Sequence, residues 1–356
     1  MAKLHFENIA IKAVVTTVGD KKITIEEEAH NFGYDDKMIK RLKKRMGFNS
    51  RYVVNGGVCT SDLCCQSAEK IFEKFDKSEV EALIFVTQTP DYKAPSTAII
   101  MQDRLALSKD IVAYDINLGC SGLINGLLHS YSLINSGLET VLLCVGDVAS
   151  NFSYYKDKNL TPLMGDAGSA ILIKKGIGLG DFVLHSDGSG YKHLIIPEGG
   201  CRNPFNKDSL KENNFEDGVR RGVDLYMNGS EIFNFTLKVV PKMFEELFNF
   251  ANVSKEDIDY FVLHQANKYI LQNIAKKLEL SGEKLPMDTM TIYGNQNSAS
   301  VPGTINGFLS DEFSSKKLKV LFAGFGIGLS WGACLVDVDN IFAPKIQYYG
   351  EKNDKK

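Results

Sequence analysis

The chain has 356 residues, of which 44% are hydrophobic and 24% charged, and its formal net charge is −3. That composition is enough for a large core or for two similar halves, excludes a disordered chain, and argues against a general nucleic-acid binder. No apolar run approaches the roughly 18 residues of a membrane span, the first eight residues lack a signal-peptide core, and the seven cysteines show no CxxC pairing. A cytoplasmic chain with neither a disulfide framework nor a zinc site is therefore expected.

In chain order, the first notable segment is basic. Lys37, Lys40, Arg41, Lys43, Lys44, Arg45 and Arg51 follow Asp35 and Asp36. They read as a helix that meets a phosphate or an acidic protein, with a solvated face as the alternative. Further on, the chain repeats itself. Lys77-Ser-Glu-Val-Glu-Ala-Leu-Ile-Phe-Val returns at Lys255, Gly122-Leu-Ile-Asn-Gly-Leu-Leu at Gly303, and Val141-Leu-Leu-Cys-Val-Gly at Val320. The starts 77 and 255, 122 and 303, and 141 and 320 are 178, 181 and 179 residues apart. One shared register implies two similar halves of helix, strand, helix, strand, with mainly parallel sheets covered by helices. Cys144 and Cys334 fall in apolar runs and read as core. The segment from Cys201 to Val223 has little periodicity and many Asn and charged residues, and reads as a surface loop or a lid. Val320 to Gly324 and Gly332 to Val338 read as a hairpin.

Three polar or reactive side chains sit at similar corners between apolar strands and helical runs. Cys120 lies in Asp115-Ile-Asn-Leu-Gly-Cys-Ser-Gly, where helix-start amides and the macrodipole favour a thiolate, although a small buried residue is the plain alternative. His264 ends the run Ile258-Asp-Tyr-Phe-Val-Leu-His, and Asn295 lies in Tyr293-Gly-Asn-Gln-Asn-Ser. Active-site groups gather at the carboxyl ends of strands in α/β folds, so the three corners point to one site.

Asn117-Leu-Gly-Cys120-Ser-Gly, His264-Gln-Ala-Asn267, Gly294-Asn295 through Pro302, and Phe325-Gly-Ile-Gly-Leu-Ser-Trp-Gly332 resemble the motifs of the β-ketoacyl-acyl-carrier-protein synthase III family, in order and over nearly the whole chain. The resemblance implies an α/β thiolase fold: two pseudo-symmetric halves in a five-layered α-β-α-β-α sandwich, residues 1–178 carrying the cysteine and 179–356 the histidine and asparagine. It also implies a homodimer with no cofactor, whose substrates are a coenzyme A thioester and malonyl-acyl-carrier protein. Cys120 would be the nucleophile, with His264 and Asn295 as donors to the malonyl thioester oxygen. The backbone of Cys120, Gly326, Ile327 and Gly328 would bind an oxyanion, Ile327 standing where a glycine is common. Arg45, Arg41 and Asn267 would bind coenzyme A, Arg41 standing where the family has a tryptophan. Lys268, Lys276 and Lys277 would dock the carrier protein, Tyr269 replacing an arginine. Ala94, before Pro95, replaces a large aromatic that reaches across the dimer, and implies a roomier acyl pocket. Gln88-Thr89-Pro90 occupies the place of the glutamate base of HMG-CoA synthases, and the last glycine loop lacks a thiolase's second cysteine. An acyltransferase on the same scaffold and a noncatalytic partner subunit are the remaining alternatives.

Overall fold

Alternation along the strands sets the layers. In the computed structural model, which describes residues 2–215 and 218–351, Ala82, Ile84 and Val86 of the strand Ala82–Val86 face one apolar cluster while Leu83 and Phe85 face another. The strands Tyr260–Leu263 and Lys317–Gly326 split in the same way, Val262, Val320 and Phe322 to the shared cluster and Phe261, Leu263, Leu321 and Ala323 to a third. A side-chain period of two thus places one common core between two sheets and one further core outside each.

The common core is filled by two buried helices, Gly122–Asn135 and Ser300–Phe308. The helix Thr60–Phe72 covers the first sheet through Cys64, Ala68 and Ile71. The helices Gly229–Ala251 and Lys268–Leu278 cover the second. The result is the five-layered thiolase fold that the family resemblance implies. Cys144 and Cys334 are fully buried in it, as their apolar surroundings predict.

Strand order runs Val112–Ile116, Ala82–Val86, Thr140–Val148 and Asp166–Ser186 in the first half, and Tyr260–Leu263, Lys317–Gly326, Ser330–Asp339 and again Asp166–Ser186 in the second. Ala82 pairs with Val141 in parallel and Tyr260 pairs with Val320 in parallel, so the repeat read from sequence has its counterpart in the ladders. The expected hairpin is the antiparallel pair Lys317–Gly326 and Ser330–Asp339. The long strand Asp166–Ser186 joins the halves: it pairs with Thr140–Val148 before residue 175 and with Ser330–Asp339 after residue 179. Ala2–Val18 runs along nearly its whole length. No helix among the described residues is long and apolar enough to cross a membrane.

Two local expectations change. The basic run forms the helix Asp36–Met46, capped by Asp35 and ended by Gly47 at φ +81°. Arg51 is not part of it. It sits buried on the strand Ser50–Val53, where its guanidinium makes a two-point ion pair with Glu28 and Nη1 donates to the Met164 carbonyl at 3.1 Å. The segment from Cys201 to Val223 is only partly a surface loop; its positions 216 and 217 lie outside the described residues. Arg220 is buried beside Asp157 at 3.2 Å, and the chain then turns inward at Leu225 and Met227. Arg51→Ala would strand the partly buried Glu28 carboxylate and free the Met164 carbonyl, and is expected to remove about 3 kcal/mol of stability in chemical denaturation; a loss under about 1 kcal/mol would mean the pair is dispensable.

Candidate active site

Cys120 stands between the strand Val112–Ile116 and the helix Gly122–Asn135, at the corner expected from sequence. The strand Lys317–Gly326 crowds it. A Cβ on Gly326 would lie 2.8 Å from the Cys120 sulfur, and one on Gly324 2.6 Å from the Cys120 carbonyl oxygen. Only glycine permits that approach of the hairpin to the thiol. The Cys120 and Ile327 backbone N–H groups both face the sulfur.

His264 continues the ladder past Leu263, donating its N–H to the Ala323 carbonyl at 2.8 Å. Its ring is 2% exposed and stands edge-on to Phe325. Nδ1 lies 2.9 Å from Ser300 Oγ and 3.1 Å from the Asn297 carbonyl. Asn295 is buried as well. Its Oδ1 accepts the Asn297 N–H at 2.9 Å, which leaves Nδ2 as the free-facing donor of that amide toward the cavity it lines. Its backbone is bound to both Leu163 and Gly165, next to the carbonyl that Arg51 holds.

Cys120, His264 and Asn295 open on one cavity of about 260 Å³. Its floor also carries Gln88, Asn267 and Asn297, and its walls are apolar: Phe152, Leu160, Leu163, Leu225, Met227 and Ile232. That dry wall decides the electrostatics. Burial pushes the Cys120 thiol up to about 11, against the pull of the Ile327 amide, and the nearby Asp147 carboxylate adds to the rise. Desolvation thus works against the pull toward thiolate that the amides at a helix start supply. Burial likewise lowers His264 to about 4, so the imidazole is neutral at pH 7.

The other predicted residues are spread out. Gly326 and Ile327 line the cavity, while Gly328 lies one residue beyond its lining. Asn267 lines it too, but its Oδ1 caps the helix Lys268–Leu278 by accepting from Ile270 N at 2.8 Å. Arg41 and Arg45 are exposed and share a groove with Tyr269, which stacks on Phe233. Lys268 approaches Asp288 at 3.8 Å, Lys277 donates to the Leu237 carbonyl at 2.7 Å, and Lys276 is exposed. Ala94 is exposed and does not line this chain's cavity. Sequence reasoning passed over Asn297, Ser300 and Asp147. A lone carboxylate in the apolar run from Val141 to Val148 was the one legible sign.

Residues 114–188 match the model of 3-oxoacyl-[acyl-carrier-protein] synthase III and residues 248–338 match that of its C-terminal part. A Campylobacter jejuni protein provisionally named 3-oxoacyl-[acyl-carrier-protein] synthase 3 is 37% identical, with 98% of this chain and 99% of that one covered. The β-ketoacyl-[acyl-carrier-protein] synthase III of Syntrophomonas wolfei is 34% identical over 83% of this chain and 88% of its own. The chain belongs to the β-ketoacyl-acyl-carrier-protein synthase III family. Among solved structures, a 3-oxoacyl-(acyl-carrier protein) synthase from Burkholderia xenovorans superposes with a TM-score of 0.90 at 32% identity, covering 98% and 99% of the two chains. The fold around the cavity is thus that of a condensing enzyme.

Because burial raises the thiol, alkylation of Cys120 in this synthase III family member by iodoacetamide, read on its own peptide, is expected to climb steadily from pH 6 to pH 9 without reaching a plateau. A plateau below pH 8 would mean a resting thiolate.

Proposed function

We propose that the chain condenses an acyl group, carried first on Cys120, with malonyl-acyl-carrier protein, and that carbon dioxide is lost in the step. The observation that carries this reading is the convergence of Cys120, His264 and Asn295, from three separate chain segments, on one apolar-walled cavity. In the first half-reaction Sγ attacks the carbonyl of an acyl-coenzyme A thioester. The carbon–sulfur bond to coenzyme A breaks, its thiolate leaves, and the proton given up by Cys120 accounts for the thiol product. The amides of Cys120 and Ile327, already aimed at the sulfur, suit the oxyanion of that tetrahedral step.

In the second half-reaction the malonyl carboxylate leaves as carbon dioxide and its electron pair moves to the thioester oxygen. Asn295 Nδ2 and His264 Nε2 are the donors proposed for that oxygen. The histidine can donate there only as the Nε2–H tautomer. That tautomer requires the Ser300 hydroxyl, which donates to the Asn297 carbonyl at 2.5 Å in the resting site, to turn and donate to Nδ1, 2.9 Å away. The enolate carbon then attacks the acyl carbonyl, the bond to Cys120 breaks, and the released thiolate takes one proton from solvent, its original proton having left with the coenzyme A thiol.

The same reading takes Arg41 and Arg45 as ligands of the coenzyme A phosphates, their groove adjoining Tyr269 two residues beyond the cavity-lining Asn267. Lys268, Lys276 and Lys277 would face an acidic carrier protein. The protein would act in the cytoplasm as a homodimer without a cofactor, with Ala94 leaving the partner's acyl pocket open. An apolar wall stabilises a longer primer by about 0.8 kcal/mol per buried methylene.

Intact mass after incubation with a panel of acyl thioesters is expected to show one acyl adduct on the wild type and none on Cys120→Ala, with Ala94→Phe shifting the preference to shorter chains. Adducts on Cys120→Ala would remove the nucleophile, and an unchanged preference would remove the role of Ala94. Asn295→Ala is expected to keep this self-acylation yet slow malonyl decarboxylation about a hundredfold or more; equal losses in both half-reactions would show that the side chain only supports the fold.

A further inference from the structure

Asp147 is a buried carboxylate that the mechanism leaves unused. It lies in the strand Thr140–Val148, every residue of which is buried, and is itself 0% exposed. A lone charge in such a place needs donors. Oδ1 accepts from the Gln88 N–H at 2.7 Å, Thr87 Oγ1 at 3.0 Å and Thr89 Oγ1 at 3.2 Å. Oδ2 accepts from Asn297 Nδ2 at 3.1 Å. All four donors are neutral.

The last contact has a consequence for Cys120. An ionised carboxylate only accepts, so it dictates which way the Asn297 amide is turned. With Nδ2 on Asp147, the amide oxygen faces the thiol, and Cys120 Sγ lies 3.7 Å from Asn297 Oδ1. The backbone of Asn297 is fixed too. Its N–H is on Asn295 Oδ1, its carbonyl is beside His264 Nδ1, and its φ of +47° lies in the left-handed region that asparagine tolerates. An oxygen acceptor stabilises S–H and opposes S⁻.

We propose that Asp147 is a positioning residue which, through the Asn297 amide, aims a hydrogen-bond acceptor at Cys120 and holds the resting nucleophile as a thiol. The inference rests on the reading of Cys120 as nucleophile, but concerns only the proton on its sulfur. Burial of Asp147, which raises its carboxyl to about 6, still leaves it ionised above neutrality. The other titratable groups nearby are His264, lowered to about 4, and Cys64 behind Asp147, raised well above its ordinary value. Neither changes charge between pH 6 and 9.

Asp147→Asn places an amide donor where Oδ2 was, so the Asn297 amide is expected to turn over and present Nδ2–H to the sulfur. Iodoacetamide alkylation of Cys120, read on its own peptide against pH, should then shift its inflection down by about one unit or more, about a tenfold gain in thiolate at a fixed lower pH. The double variant Asp147→Asn/Asn297→Ala, which also lacks the carboxylate charge but has no amide to turn, should shift less. No shift in D147N, or equal shifts in both, overturns the proposal, the latter by showing that charge alone acts. Should D147N fail to fold, the infrared S–H stretch of Cys120, isolated by subtracting Cys120→Ala, decides: it is expected at a hydrogen-bonded frequency and to move to the free-thiol frequency in Asn297→Ala, and an unmoved band overturns the idea. Neither readout uses acyl transfer, so a failure of the proposed reaction would be visible separately.

Discussion

Between the two sheets, the helices Gly122–Asn135 and Ser300–Phe308 share a single apolar layer, and their beginnings touch. Gly122 has room only for a hydrogen atom: a Cβ there would lie 2.6 Å from Val86 Cγ1 and 3.4 Å from the Ser298 Cβ. Leu123, Ile124 and Leu127 of the first helix pack in one cluster with Val301 and Ile305 of the second. Each such side chain contributes roughly 1.5–3 kcal/mol when fully buried. Cys120 immediately precedes one helix, and Asn295 and Asn297 precede the other, so the packing that closes the core also sets the distance between the reactive groups. His264 is brought in by the strand Tyr260–Leu263, whose own register is set against Lys317–Gly326. The site is therefore as rigid as the core beneath it.

That dependence explains what was legible in the chain and what was not. Apolar period-two runs, the repeated segments and the corners holding Cys120, His264 and Asn295 are local patterns, and each survives into the fold because burial on both faces demands them. Arg51 was misread for a physical reason: seven cations in one stretch look alike until Gly47 ends the helix at Met46 and sends Arg51 onto a strand toward Glu28. Asn297 and Ser300 gain their meaning from contacts with residues 177 and 36 positions away, Cys120 and His264. No window of sequence contains such pairs. The desolvation of Cys120 was hidden for the same cause, since the wall that dries it comes from residues 152–164 and 194–232, far from its own helix start.

Desolvation of both groups matters for how such a site can work. Cys120 is pushed to about 11 and His264 down to about 4 by the same desolvation, so at neutral pH the resting pair carries no net charge. A preformed thiolate–imidazolium pair would have to overcome that burial twice, once for each ion. In the neutral site, charge arises only where substrate supplies it: on the carbonyl oxygen during attack, and on the thioester oxygen as carbon dioxide departs. In the proposed reaction the amides of Cys120 and Ile327 and the Asn295 Nδ2 would meet it in a low-dielectric setting, where a fixed dipole is worth far more than in water.

Asp147 is then the exception that needs its own support. It is the carboxylate buried nearest the nucleophile, it is held by four neutral donors, and its field opposes a thiolate at Cys120. A group that only hindered the reaction would be replaceable by an apolar side chain of similar volume, yet three of its donors, Thr87, Gln88 and Thr89, turn the chain after the strand Ala82–Val86 toward the cavity, and the fourth orients Asn297. One carboxylate thus ties the first half's strand end to the second half's loop. Removing its charge would relieve the thiol while loosening the loop that carries Asn295, which is the physical reason a site built for a neutral resting state still contains an anion.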